Sequence, residues 1–331
     1  MSLDVRALAQ AWSATWADFL ANKITVAERR AAPWVTTLST EGADSSASAD
    51  ADTFIMMADL AHICGAVRED PMMLRRALAA YDAHLALAPT SQAGLRMRAE
   101  TLLRLGEIRE AFEAFNVLYH VTLEDAEAQE NEEVAPFRLI HDAECVEDAV
   151  RLGADPSALE MSAAWRALAA ELEIGADGEH KEPERTNRRN EAPDALRRTP
   201  IHSLSAAQRA LLGAGYGRPL PVPPSVCTNR ETGVAGALRL RPDWAALERK
   251  YVSERYVVID NLLSADALAE LQQYARHGCH FRTMRAGFLG AFPADGVTHP
   301  LLQTLVRELT VAVPTILGGH ALGLWWLFKY R

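Results

Sequence analysis

Tyr256-Val257-Val258-Ile259-Asp260-Asn261-Leu262-Leu263 is a β-branched and aromatic run, and it predicts a strand. Ser264 follows at once, with a side-chain oxygen able to cap a helix over 266–273. That helix would place Leu268, Leu271 and Ala275 on one face and end near His277-Gly278, where glycine can take the left-handed conformation. Beyond it the pattern gives a short strand over 280–284, a Gly-rich passage over 287–292 that reads as a turn, and a second helix. Leu301, Leu302, Leu305, Leu309 and Val313 supply the apolar stripe of that helix. The last strand, over 322–331, is the most apolar and aromatic in the chain. Strand, helix, strand, helix, strand is thus the expected plan of a domain spanning 241–331.

A terminal strand this apolar needs neighbours on both edges, or it leaves backbone groups and aromatic rings in water. Its position predicts a sheet edge with exposed apolar area at Leu324 to Tyr330 and self-association through that strand. Arg241-Pro242-Asp243-Trp244 starts the helix leading in, with Trp244 and Leu247 expected to seat it on the sheet.

Before this domain, 174–240 reads as a linker. It is charged and carries the extended Pro219-Leu220-Pro221-Val222-Pro223-Pro224 run, and only one short helix, Ser203 through Leu212 with Ser205 near its start, interrupts it. Residues 1–173 read as helices throughout, apart from a Ser-, Ala- and Asp-rich loop at about 39–52. Ser2 can cap the first helix, whose apolar face would run Leu8, Trp12, Trp16, Phe19 and Leu20.

Within this array Ala77 and Tyr81 are matched by Ala111 and Phe115, 34 residues on in each case. Pro89 ends the first unit, Leu95 and Ala99 lie on the first helix of the second, and Gly106 marks its turn. Small residues at Ala77, Ala99 and Ala111 let paired helices approach closely. A 34-residue period with this packing resembles the tetratricopeptide repeat, which implies a groove for a protein or peptide partner. A degenerate third unit falls at Cys145, Val146 and Ala149.

The segments YVVIDNLLSADALAELQQYA, GFLGAF, HPLLQTLVRELTVAVPTILG and LWWLFKY together resemble the opening part of the jelly-roll core of iron(II)- and 2-oxoglutarate-dependent dioxygenases, in the prolyl-hydroxylase-like branch. Phe137-Arg138-Leu139-Ile140-His141-Asp142-Ala143-Glu144 resembles a stretch found where such a domain follows tetratricopeptide-type helices. The fold expected is therefore mostly α within an α+β plan: a tetratricopeptide-like array, then the incomplete start of a double-stranded β-helix. The resemblance implies iron(II) and 2-oxoglutarate as cofactors of an intact homologue. It also puts Lys329 and Tyr330 where the family's strand faces the cosubstrate pocket, although alternate residues of a strand face opposite ways.

A ferrous site of this type needs a His-x-Asp or His-x-Glu pair and a distal histidine. The sequence has one such pair, His180-Lys181-Glu182, inside the charged linker, so this chain is expected to bind no metal and to stop short of the family's ligands. His277-Gly278-Cys279-His280 invites a zinc reading but lacks a second ligand pair, and His141-Asp142 lacks the further ligands a metal phosphohydrolase needs.

A net charge of −10 without a basic stripe argues against nucleic acid. The N-terminus lacks a secretory plan, no charge-free stretch is long enough to span a bilayer, and four scattered cysteines suit a reducing, cytoplasmic setting. Two functions follow: the front portion of a 2-oxoglutarate-dependent hydroxylase with a partner-binding array, or a non-catalytic interaction scaffold.

Overall fold

The computed structural model describes residues 4–40, 50–126, 133–177, 202–213, 216, 236–239, 243–277, 281–285 and 288–330. Ser2, most of the 39–52 loop, His180-Lys181-Glu182, the proline run, Cys279 and His280 lie outside them. The chain falls into two compact units, Met1–Thr122 with Leu317–Leu324, and Leu123–Ile316 with Trp325–Arg331. The division comes within a helix, well before the boundary at 173 drawn from the sequence.

The first unit is helical: α1 (Val5–Leu20), α2 (Ile24–Thr40), α3 (Ala51–Arg68), α4 (Pro71–Leu87), α5 (Gln92–Arg104) and the start of α6 (Ile108–Ala126). From α1 to α5 each helix packs on the next. Aspartates cap three starts, Asp4 accepting from the Ala7 amide (3.1 Å), Asp50 from Thr53 (2.8 Å) and Asp70 from Met72 (2.9 Å). Leu20, expected on the buried face of α1, is 79% exposed: it closes the helix just before the turn, where no neighbouring element covers it.

α3 is the hub, buried without a break from Ala58 to Gly65. Close approach is built in at Gly65, where a Cβ would lie 2.9 Å from the Leu74 backbone nitrogen of α4, and at Gly94, where it would lie 2.5 Å from the His84 ring. A charge sits inside this hub. Asp59 accepts from the indole N–H of Trp12 (2.8 Å) and of Trp16 (3.0 Å) and from the Tyr81 hydroxyl (2.6 Å). Burial pushes its carboxyl above the ordinary range, against the pull of those three donors. The two tryptophans are thus core anchors whose polar ends converge on one carboxylate.

The 34-residue offset is visible in burial: Ala77 and Ala111 are both buried, as are Tyr81 and Phe115. Leu95 and Ala99 are buried on α5, Pro89 stands in the turn between α4 and α5, and Gly106 turns at φ +77° between α5 and α6.

The second unit adds β1 (Glu133–Val134), α7 (Pro136–Arg151), α8 (Ala158–Asp177), β2 (His202–Ser203), α9 (Ala206–Leu212), α10 (Trp244–Glu254), α11 (Ala265–His277), β3 (Thr283–Arg285), β4 (Phe288–Ala291), α12 (Pro300–Ala312), α13 (Pro314–Leu317) and β5 (Leu327–Tyr330). α7 and α8 pair along their length. Parts of the expected linker join their core: β2 pairs antiparallel with β1, Leu204 and Leu212 are buried, and Trp165 donates to the Leu212 carbonyl (3.0 Å). α9 starts later than the expected Ser203, because His202-Ser203 is taken up in β2; Ser205 caps it, with Gln208 completing a capping box.

The larger sheet is antiparallel, in the order β3-β4-β5. Here two expectations are corrected. The run 256–263 forms no strand; it contributes a single bridge, Leu263 to Leu238. Asn261 takes a left-handed φ of +52°, which breaks the extended path, and Val258 is 73% exposed because no neighbour pairs with it. Conversely the Gly-rich passage is the central strand β4. Gly290 allows this, because the rings of Phe292 and Phe328 lie over it, within 3.4 Å of where a Cβ would stand. Ser264 does cap α11, accepting from the Ala267 amide (3.2 Å). α10 buries none of its residues fully; Trp244 and Leu247 are half-buried, and the Glu248 carboxylate accepts from the Thr315 amide (2.7 Å).

The terminal strand is shorter than expected, and it is an edge. Leu289 stands opposite Lys329 and Ala291 opposite Leu327, so these four share the face that packs with Phe137, Phe281 and Val297. The other face carries Phe288, Phe328 and Tyr330, with Phe288 and Phe328 ring centroids 4.9 Å apart. The described residues are therefore mostly helical, with a small three-stranded antiparallel sheet and the short β1–β2 pair.

Candidate functional site

α7 is committed to the interior on almost every side, and three of its side chains, His141, Glu144 and Asp148, follow one another along a single stripe. That stripe lines an open cleft of about 310 Å³, faced across by Gln272 and Arg276 of α11 and floored by Phe281, Phe328 and Lys329.

Lys329 comes from β5, on the inward face that the sheet register dictates. Its ammonium donates to His141 Nδ1 (2.9 Å) and to Glu144 Oε2 (2.6 Å). An ammonium has only protons to give, so His141 Nδ1 is an acceptor and the neutral ring carries its proton on Nε2. Nε2 lies 3.6 Å from the Cys145 sulfur, and the Cys145 thiol donates to the Arg276 carbonyl (3.1 Å). The Phe281 ring meets the imidazole edge-on at 5.0 Å. One chain of hydrogen bonds therefore runs from the terminal strand through α7 to the C-terminal end of α11.

Asp142, next to His141 in sequence, points elsewhere. It accepts from Arg138 Nε (2.7 Å) in a buried ion pair. Arg138 also bonds the Phe281 carbonyl and lies over the Tyr216 ring, 5.9 Å from its centroid. Burial pushes the Asp142 carboxyl up despite Arg138, and its second oxygen, Oδ1, has no hydrogen-bond partner among the described residues. Tyr216 is likewise pushed up by burial.

The sequence pair His141-Asp142 is thus split: one residue faces the cleft, the other the core. Lys329 and Tyr330 are split in the same way, Lys329 into the cleft and Tyr330 onto the opposite face at 66% exposure. Among the described residues no three His, Cys, Asp or Glu side chains come together as a metal site. No helix among them is long and apolar enough to cross a membrane. The Asp59 node and the Lys329–His141 contact escape sequence reading. A lone aspartate inside an apolar helical run was the signal for the first; the second joins residues 188 apart and leaves none.

Comparison with protein-family models, with curated proteins and with solved structures finds no match.

Proposed function

We propose that this chain joins a tetratricopeptide-like array, which binds a protein or peptide partner, to the first part of an iron(II)- and 2-oxoglutarate-dependent dioxygenase module. The observation that carries it is the element order from α11 onward: a capped helix, the β3–β4 hairpin, α12, then a strand that pairs antiparallel with β4 and whose outer edge is unpaired among the described residues. An open edge with an aromatic face is where further strands of a jelly roll would add. The shared burial of residues 34 apart supports the repeat. An intact module would couple oxidative decarboxylation of 2-oxoglutarate to hydroxylation of a substrate, its ferrous ligands coming from outside the described residues. Lys329 would line the cosubstrate side of the strand, while Tyr330 faces away from the cleft.

The test is succinate release on adding iron(II) and 2-oxoglutarate, measured on the 331-residue chain and on its gene product extended by any coding sequence that follows Arg331. Succinate is expected from the extended product alone. Release by the shorter chain, or by neither, sinks the reading. A second reading, a non-catalytic scaffold in a cytoplasmic setting, is favoured by the uninterrupted helical packing from α1 to α5. It expects no succinate from either protein, and peptide binding indifferent to 2-oxoglutarate.

A further inference from the structure

The hydrogen bond from Lys329 to His141 holds only while the imidazole is neutral. Its Nδ1 is the acceptor, and a proton there would set an N–H and a positive charge against an ammonium 2.9 Å away. The ring is buried, so water reaches this pair only from the side of the ammonium and screens the repulsion in part. Its other nitrogen is already directed at Cys145, and its face is covered edge-on by Phe281. We propose that His141 is a proton-operated latch for β5: the neutral ring accepts the Lys329 ammonium and holds the strand on α7, and the protonated ring releases it.

The surrounding charges set how the latch behaves. From α7, Glu144 shares Lys329 and Asp148 lines the same cleft, while Asp142 is taken by Arg138. From α11 the Arg276 side chain lines the cleft, and Arg282, beyond Phe281, acts on Asp142. After protonation Lys329 retains Glu144, but both side chains of that pair are substantially exposed, and an ion pair in water holds little. Among the described residues β5 has no strand beyond it, and its other holds include its ladder to β4, the packing of Trp325 and Leu327, and the Trp325 indole N–H donating to the Val297 carbonyl. Release therefore loosens an edge strand that floors the cleft. The latch does not depend on the dioxygenase reading.

Hydrogen exchange of the amides of residues 327–330, expressed as protection factors against those of α8, is followed from about pH 7.5 to about pH 5 together with the His141 ring resonances. Protection of β5 is expected to fall on the order of tenfold with the midpoint at which His141 titrates. His141→Gln should abolish that midpoint. Lys329→Met, which leaves the imidazole in place, should let His141 take its proton at higher pH. The latch is refuted by a flat β5 protection factor while His141 titrates, by a ring that stays neutral to the lowest pH, or by the same midpoint in His141→Gln. An unmoved His141 titration in Lys329→Met refutes it too.

Discussion

Asp59 shows how much one buried charge can organise. Three donors from two other helices converge on its carboxylate, so removing it leaves two indole N–H groups and a hydroxyl without acceptors inside the first unit. Asp59→Ala is expected to destabilise the protein by about 3 kcal/mol or more, read from urea unfolding followed by tryptophan fluorescence. His62 offers a pH test of the same interior. It donates from Nδ1 to the Thr101 hydroxyl (2.8 Å), which itself donates to the Met97 carbonyl, and burial holds the ring's pKa down to about 4 from 6.5. The unfolded chain takes that proton more readily than the folded one. The contribution is therefore complete above pH 6.5 and is lost as the pH falls toward about 4. Between neutral pH and the lower end of that window, wild type should lose about 2–3 kcal/mol that His62→Gln does not lose, measured as the difference between their unfolding curves.

The elements themselves rest on local chemistry where helices are concerned and on neighbours where strands are. Ser264→Ala should cost about 1 kcal/mol by uncapping α11, seen as faster exchange of its first-turn amides. Gly94→Ala puts a methyl 2.5 Å from the His84 ring, and that ring is held by its bond to the Ala51 carbonyl (2.7 Å). It should cost about 1–3 kcal/mol and lower the thermal midpoint, despite the better helix propensity of alanine. The strands behave otherwise. Residues 256–263 have the composition of a strand but pair only at their end, through Leu262 and Leu263, among the described residues, whereas 288–291, with a glycine in the middle, become the centre of the sheet because β3 and β5 flank them.

At the scale of the whole molecule the terminal edge decides behaviour in solution. Trp326, Phe328 and Tyr330 stand on one exposed face of a strand whose outer backbone groups have no neighbouring strand among the described residues. Concentration-dependent self-association through this edge is expected, and Tyr330→Lys should shift sedimentation velocity toward the monomer while leaving the cleft intact, since Tyr330 faces away from it. An unchanged distribution in that variant would place any association elsewhere.

What the residues determined unaided was helical: the cap at Ser264, the burial of Ala77, Ala111, Tyr81 and Phe115, and the apolar stripe of α12. These depend on neighbours three or four positions away, which any window of sequence contains. The tertiary structure alone decided which extended segments became strands, which face of β5 turned inward, and that Lys329 would meet His141 across 188 residues. Strand pairing and buried charge contacts are made between segments distant in the chain, and their energy comes from a partner that local composition does not name.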